Sequence, residues 1–568
     1  MSLPLPPTIL LAVGGLLLVV GSWVRDARWC AVVWLTAWFY AAYMLATSGL
    51  APMDSAARMA LRSVWSADEM AVVGQGLALA FGLMFGVGSL GMTSRGSGSA
   101  ERFGFLSFLV AGVMLVTAAN DAISLALSLE IVQFASHALR RMGRVDESRS
   151  VSGNVDSVNS PRGETCLWLG IVASICVWLG IALGTSVTAS TQFDEMRMVL
   201  AQAYSPGPGR VAIGAGSKLG LLAIGLIVTG LSCRVGTVPW QTVFVETVRG
   251  CGYWTSGCVL IGGQLAGVMA LSRLCGTVWI GFTSELIVLL IVLSGATFVV
   301  AGEFAARGLA VGEGTLRRWL TAFVMLHGVW LLVGVIAATA DLAAPENSLA
   351  AATGQPSALS VLLFSTGASL FGLSGLFLLL SHLARGDREV EYLDELLGLG
   401  QLAPAAAIGL MIVLASLIGH PPLWGCWGQW LLLVAGLNVR AAVGASNVLP
   451  HHGVIALLLV ATLSTLLMAA VVIRFARVMF LEEPVSRTLP QGGQASLGVG
   501  LIAAMALVAL GLFPSRLLVP LSSVQEARPV VPQEPPAGKK AGTATARTET
   551  IQRLAPTPTA WEQTRANP

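Results

Sequence analysis

Apolar runs of roughly 17 to 25 residues recur along this chain from Ile9 to Phe513, and they limit its fold more tightly than any other feature. Each is long enough to cross a hydrocarbon core of about 30 Å as a helix. Backbone groups in lipid must be satisfied internally, so only helices and closed barrels can span it. The runs lack the period-two alternation of a barrel strand, which leaves helices. Composition agrees: 55% of residues are hydrophobic and 11% charged, less than half the charged share of a soluble domain.

The length criterion predicts an all-α polytopic membrane protein of about 14 spans. Ten lie near Ile9–Val24, Trp29–Leu45, Met70–Leu90, Phe103–Ala119, Ala122–Leu139, Cys166–Thr185, Leu219–Val238, Trp254–Leu271, Leu286–Val300 and Leu320–Ala338. The last four lie near Leu359–Leu383, Ala405–Leu437, Val454–Met479 and Leu497–Phe513. The start, MSLPLPPTIL, shows no basic region or cleavage site, so the first run is expected to be a retained span. Most Lys and Arg fall in connections after odd-numbered spans, densest at Arg140, Arg141, Arg144 and Arg149. Positive-inside then places those loops in the cytoplasm and both termini outside. The same clusters also suit contact with lipid headgroups or a partner subunit. After Leu521 the chain becomes rich in Pro, Ala and Thr and is expected to be disordered.

Charge inside a span is expensive, which makes Glu130, Arg234 and His327 candidates for function. Each has a structural and a functional reading. Glu130 is either a neutral acid bonding two helices or part of a proton path. Arg234 either braces a helix end or carries charge, and His327 either packs or relays. Pro239, and Pro421 with Pro422, interrupt two apolar segments far apart in sequence. Helices broken at corresponding points of two halves are how inverted-repeat transporters expose backbone near an ion path. The eight cysteines form no C-x-x-C pair and are expected to be small buried hydrophobes, with metal or disulfide chemistry the other reading. A net charge of +3 gives no argument for nucleic acid.

Four segments together resemble the antiporter-like subunits of respiratory complex I, and among these the N subunit of the proton-translocating NADH:quinone oxidoreductase. LDELLGLGQLAPAAAIGLMIVLASLIGHPPLWGCWGQW is the most specific. ANDAISLALSLEIVQFASHAL matches the family's fifth helix with its glutamate, here Glu130. CRVGTVPWQTVFVETVRG matches the broken seventh helix, and RRWLTAFVMLHGVWLLVG a later helix with Arg318 and His327 in register. The resemblance implies an antiporter-like fold with inverted repeats and broken helices. It divides the chain into N-terminal helices over 1–119, an antiporter-like domain over 120–521 and a tail over 522–568. The long lateral helix of the L subunit is not found in this sequence.

The departures fall on the family's proton relay. By register, Arg234, Gln264 and Gln429 occupy places where the resemblance implies lysines, Gln241 replaces a histidine, and Arg249 replaces an acid. The chain's lysines are Lys218, Lys539 and Lys540, none of them at these stations. A buried lysine can be drawn toward neutrality and pass a proton, whereas arginine keeps its charge and glutamine never titrates. The resemblance therefore implies a membrane-arm subunit whose own proton conduction is in doubt. Its partners would be other membrane-arm subunits in a lipid bilayer of the inner membrane. NAD, FMN, Fe–S clusters and quinone would reside in partner subunits, since no cluster spacing, nucleotide fingerprint or haem pair is found here. The other readings are a subunit of a cation/proton antiporter or membrane-bound hydrogenase, and an unrelated transporter with its own substrate pocket.

Overall fold

The computed structural model describes residues 5–20, 27–47, 64–66, 68–90, 99–143, 162–204, 215–279, 282–310, 316–343, 356–385, 388–443, 448–484 and 489–522. Arg144, Arg149 and the tail from residue 523 lie outside the described residues. Among those described, the chain is helical, with only isolated bridges such as Trp65–Ala119 in extended pairing. The first half comprises α1 (Leu5–Val20), α2 (Ala27–Thr47), α3 (Glu69–Gly88), α4 (Ser99–Ala118), α5 (Ala122–Met142), α6 (Arg162–Thr188), α7 (Phe193–Tyr204), α8 (Ala215–Val235), α9 (Gln241–Gly250) and α10 (Tyr253–Thr277). The second comprises α11 (Thr283–Ala310), α12 (Leu316–Ala343), α13 (Ala358–His382), α14 (Leu399–Leu402), α15 (Pro404–Leu417), α16 (Trp424–Val443), α17 (Val448–Phe480), α18 (Gln494–Leu512) and α19 (Ser515–Ser522).

Twelve of these helices are long and apolar enough to cross a membrane. With α1, and with α15 and α16 as two halves of one span, they cover all 14 predicted runs. Local chemistry sets several of the starts. Asp121 accepts from the amides of Ile123 and Ser124 to begin α5, and Ser357 accepts from Ser360 to begin α13. These are the ordinary side-chain caps for amides that have no partner within the helix. The length criterion did not find α7, an amphipathic helix of twelve residues, nor α9, the short second half of the seventh span.

Both predicted breaks are present, and they are built alike. Gly236 and Gly419 adopt left-handed φ values of 91° and 75°. That conformation, open to glycine, turns the chain out of the helix. The Thr237 amide folds back to the Ser232 carbonyl, and that of His420 to Ala415. Pro239 and Pro422 stand three residues after each glycine and offer no N–H with which to resume the same helix.

Two sets of five spans repeat one packing pattern. In the first set α4 packs on α5 and on α10, α6 on α8, and α8 on α10. In the second α11 packs on α12 and on α17, α13 on α15 and α16, and both of these on α17. Each set carries its break in the fourth span. The helices α10, α12 and α13 are buried along nearly their whole length, while Leu459, Leu463, Leu466 and Ile473 turn one face of α17 outward. The most enclosed helices therefore carry the polar residues described next.

Candidate functional site

Each helix break leaves a carbonyl that its own helix does not use, and side chains from deeply buried helices occupy it. At the first break Gln264 of α10 donates from Nε2 to the carbonyls of Val235 at 3.1 Å and Val324 at 2.9 Å. One amide thus ties the end of α8 to the middle of α12, and Gln264 is 3% exposed. Close approach at this point requires Gly328: a Cβ there would come closer than 3.0 Å to both the Gln264 amide and the Val235 carbonyl.

At the second break the Leu417 carbonyl accepts from Gln429 Nε2 at 2.8 Å and lies 2.9 Å from His327 Nε2. A carbonyl only accepts, so Nε2 carries a proton. His327 Nδ1 is 3.1 Å from Ser369 Oγ, which can donate to the neutral ring. His327, buried on α12 one turn beyond Val324, thereby links the two breaks. Side chains and carbonyls run from Val235 through Gln264, α12 and His327 to Leu417 and Gln429.

Arg234 and Glu130, which lie at matching stations of the family's relay, form no salt bridge with each other. Arg234 Nη1 donates to Gln133 Oε1 at 3.3 Å, and no ion pair of Arg234 occurs among the described residues. Glu130, half-buried one turn away on α5, acts on Arg234 through its field alone. Gln133 went unnoticed because an amide inside a span reads as an ordinary polar residue. Lys218 is exposed in the first turn of α8. Arg249 is exposed, and the Gln241 Oε1 is buried without a hydrogen-bond partner among the described residues. Six of the cysteines are buried, and Cys176 and Cys426 are half-buried.

The buried cation of α12 is Arg317, the neighbour of the Arg318 that the resemblance singles out. Arg317 enters the protein, and Arg318 is only half-buried. The Arg317 guanidinium donates to the carbonyls of Val248 and Cys251 at the end of α9, pairs with Glu389 at 3.2 Å, and lies 5.0 Å over the Tyr253 ring. Glu389 in turn accepts from the Tyr253 amide at 2.9 Å and caps α10. Burial pushes the Glu389 carboxyl above its ordinary range, against the pull of Arg317 and that amide.

A second buried cation, Arg273 of α10, is 2% exposed. Its guanidinium forks onto Asp68, with Nη2 2.6 Å from Oδ1, and also donates to the Thr117 carbonyl. Asp68 caps α3 through the Ala71 amide. Burial alone would raise its pKa, but Arg273, by hydrogen bond and by charge, together with the Ala71 amide and Ser66, holds it below the ordinary range. Both latches lay just beyond predicted span ends, because a charge at a helix end lowers local hydropathy where the helix is still buried.

Residues 119–451, more than half the chain, match the model of the family described as NADH:quinone oxidoreductase/Mrp antiporter, TM. The chain belongs to this family. One similar member is NADH-quinone oxidoreductase subunit N 2 of Rhizobium meliloti, 25% identical over 511 residues that cover 88% of this chain and 94% of that protein. Among solved structures, a chain of respiratory complex I from Thermus thermophilus with bound aureothin superposes with a TM-score of 0.66. It is 19% identical and covers 91% of this chain and 99% of that one. A chain of the Mrp complex from Dietzia sp. DQ12-45-1b gives the same TM-score at 16% identity, covering 91% and 96%. These structures share the antiporter-like fold. Within that family fold, this member fills its two helix breaks with glutamine amides and a buried histidine.

Proposed function

We propose that this chain is a membrane-arm subunit of a complex I-type NADH:quinone oxidoreductase, of the N-subunit kind, and that it braces the arm without driving a proton stroke of its own. The observation that carries the second half is the chemistry at the breaks. Gln264 and Gln429 hold the Val235 and Leu417 carbonyls with groups that never change charge, and Arg234 keeps its charge. A titrating ammonium in those places would bind or release the carbonyls as it gained or lost a proton. An amide holds them in one state. His327 is the exception, with a proton on Nε2 and an acceptor at Nδ1, but its Nε2 partner is a carbonyl that cannot take a proton onward.

In this reading NADH oxidation and quinone reduction belong to partner subunits that hold NAD, FMN, Fe–S clusters and quinone. This chain contributes no redox centre. It sits in the inner membrane with both termini outside, as the arginine distribution implies. The resemblance of its fold to a chain of an Mrp complex supports a second reading, a subunit of a cation/proton antiporter. Purification from native membranes in mild detergent separates the two. Co-purifying flavin- and Fe–S-bearing subunits are expected; small antiporter subunits without redox centres would replace the first reading with the second.

A further inference from the structure

Where α5 and α8 meet, two guanidiniums face one cavity. Arg140 comes from the last turn of α5 and Arg234 from the last turn of α8, and Gln133, Ser136 and Cys233 complete the polar lining. No carboxylate is among the described residues that line this space. Neither arginine has an ion pair among the described residues, and the Arg140 Nε is buried with no hydrogen-bond partner there. Arg234 has one neutral acceptor, Gln133 Oε1. Arginine stays protonated in a protein, so two half-buried charges share a space with no opposite charge on its described walls, and Glu130 acts on Arg234 only through its field from outside that space.

The remaining groups on the walls are donors. Since Gln133 Oε1 is taken by Arg234, its amide nitrogen turns elsewhere, toward Gly170, where any Cβ would collide with it. Ser136 also lines the space. The cavity leaves about 30 Å³ for the centre of a water-sized particle, above the roughly 10–15 Å³ that one such particle needs. We infer that the cavity binds a small anion, chloride, as the counter-ion that Arg140 and Arg234 share. The anion then offsets one of the pair's two charges and ties α5 to α8, work that a Glu130–Arg234 salt bridge would otherwise do.

The inference does not rest on the proposed function, because chloride binding is read on the purified membrane complex whatever its partners are. The complex is exchanged into gluconate at constant ionic strength and titrated with radiolabelled chloride. One saturable chloride per chain, displaced by bromide, is the expected result. Arg234→Gln and Arg140→Gln are each expected to weaken it at least about tenfold, while Arg234→Lys retains it. Should Arg234→Gln fail to assemble, Arg140→Gln at the cavity mouth carries the same test. No saturable chloride on the wild-type complex, or glutamine variants that bind it as tightly as wild type, would overturn the assignment.

Discussion

A buried arginine that forks onto a carboxylate is the least replaceable kind of side chain in this molecule. Arg273 holds Asp68 and the Thr117 carbonyl at once, so three helices depend on one guanidinium. Arg273→Met would leave Asp68, 26% exposed, with no cation beside it, and should lower stability by about 3 kcal/mol. Thermal unfolding in detergent measures this. The same pair sets an acid limit. A carboxyl whose pKa is depressed on folding contributes stability above its unfolded value, and loses that contribution as pH falls through the folded one. Wild type should therefore lose stability below about pH 4 more steeply than Asp68→Asn, which has no such proton to take up. Equal slopes would mean that the pair contributes nothing to acid resistance. Glu389 acts in the opposite sense, because its raised pKa favours the fold in acid and that gain fades as pH rises.

At the scale of an element, each break joins a glycine that ends the helix to a side chain that occupies the carbonyl it leaves open. Gly236 and Gly419 supply the turn, and Gln264 and Gln429 the occupant. Gly328→Ala places a methyl group against the Gln264 amide and the Val235 carbonyl, so α8 and α12 must separate. Overpacking of this kind costs roughly 1–3 kcal/mol, and loss of the two Gln264 hydrogen bonds should accompany it. A melting temperature equal to wild type would show that the contact gives way freely. Gln264→Lys is the informative companion. It restores a titratable group at a station 3% exposed, and the expected outcome is a complex whose stability becomes pH-dependent near neutrality.

For the whole molecule, the proposed bracing role rests on the unchanging charge of the side chains at the breaks of the two five-span sets. A reconstituted complex carrying Glu130→Gln should therefore translocate as many protons per electron pair as wild type. A reproducible deficit of about one proton per two electrons would mean that water and the remaining acids conduct through this chain after all. Orientation is checked separately. A reporter fused after Leu521 should be active only when it requires export, and cytoplasmic activity would reverse the assignment of both termini.

Span number and the positions of both breaks were legible in the sequence, because length, hydropathy and proline act locally along the chain. The period of the runs dictated helices, and Pro239, Pro421 and Pro422 marked the interruptions. Register with the family singled out Gln264, His327 and Gln429, and the structure sets them at the breaks. What each side chain holds was decided only by tertiary structure. Arg234 found Gln133 and not Glu130, since a few degrees of helix rotation choose between residues one turn apart. Arg273 with Asp68 and Arg317 with Glu389 were invisible for a related reason. A charge at a helix end reads as a loop in a hydropathy window, and only packing of distant helices around it reveals that it is buried.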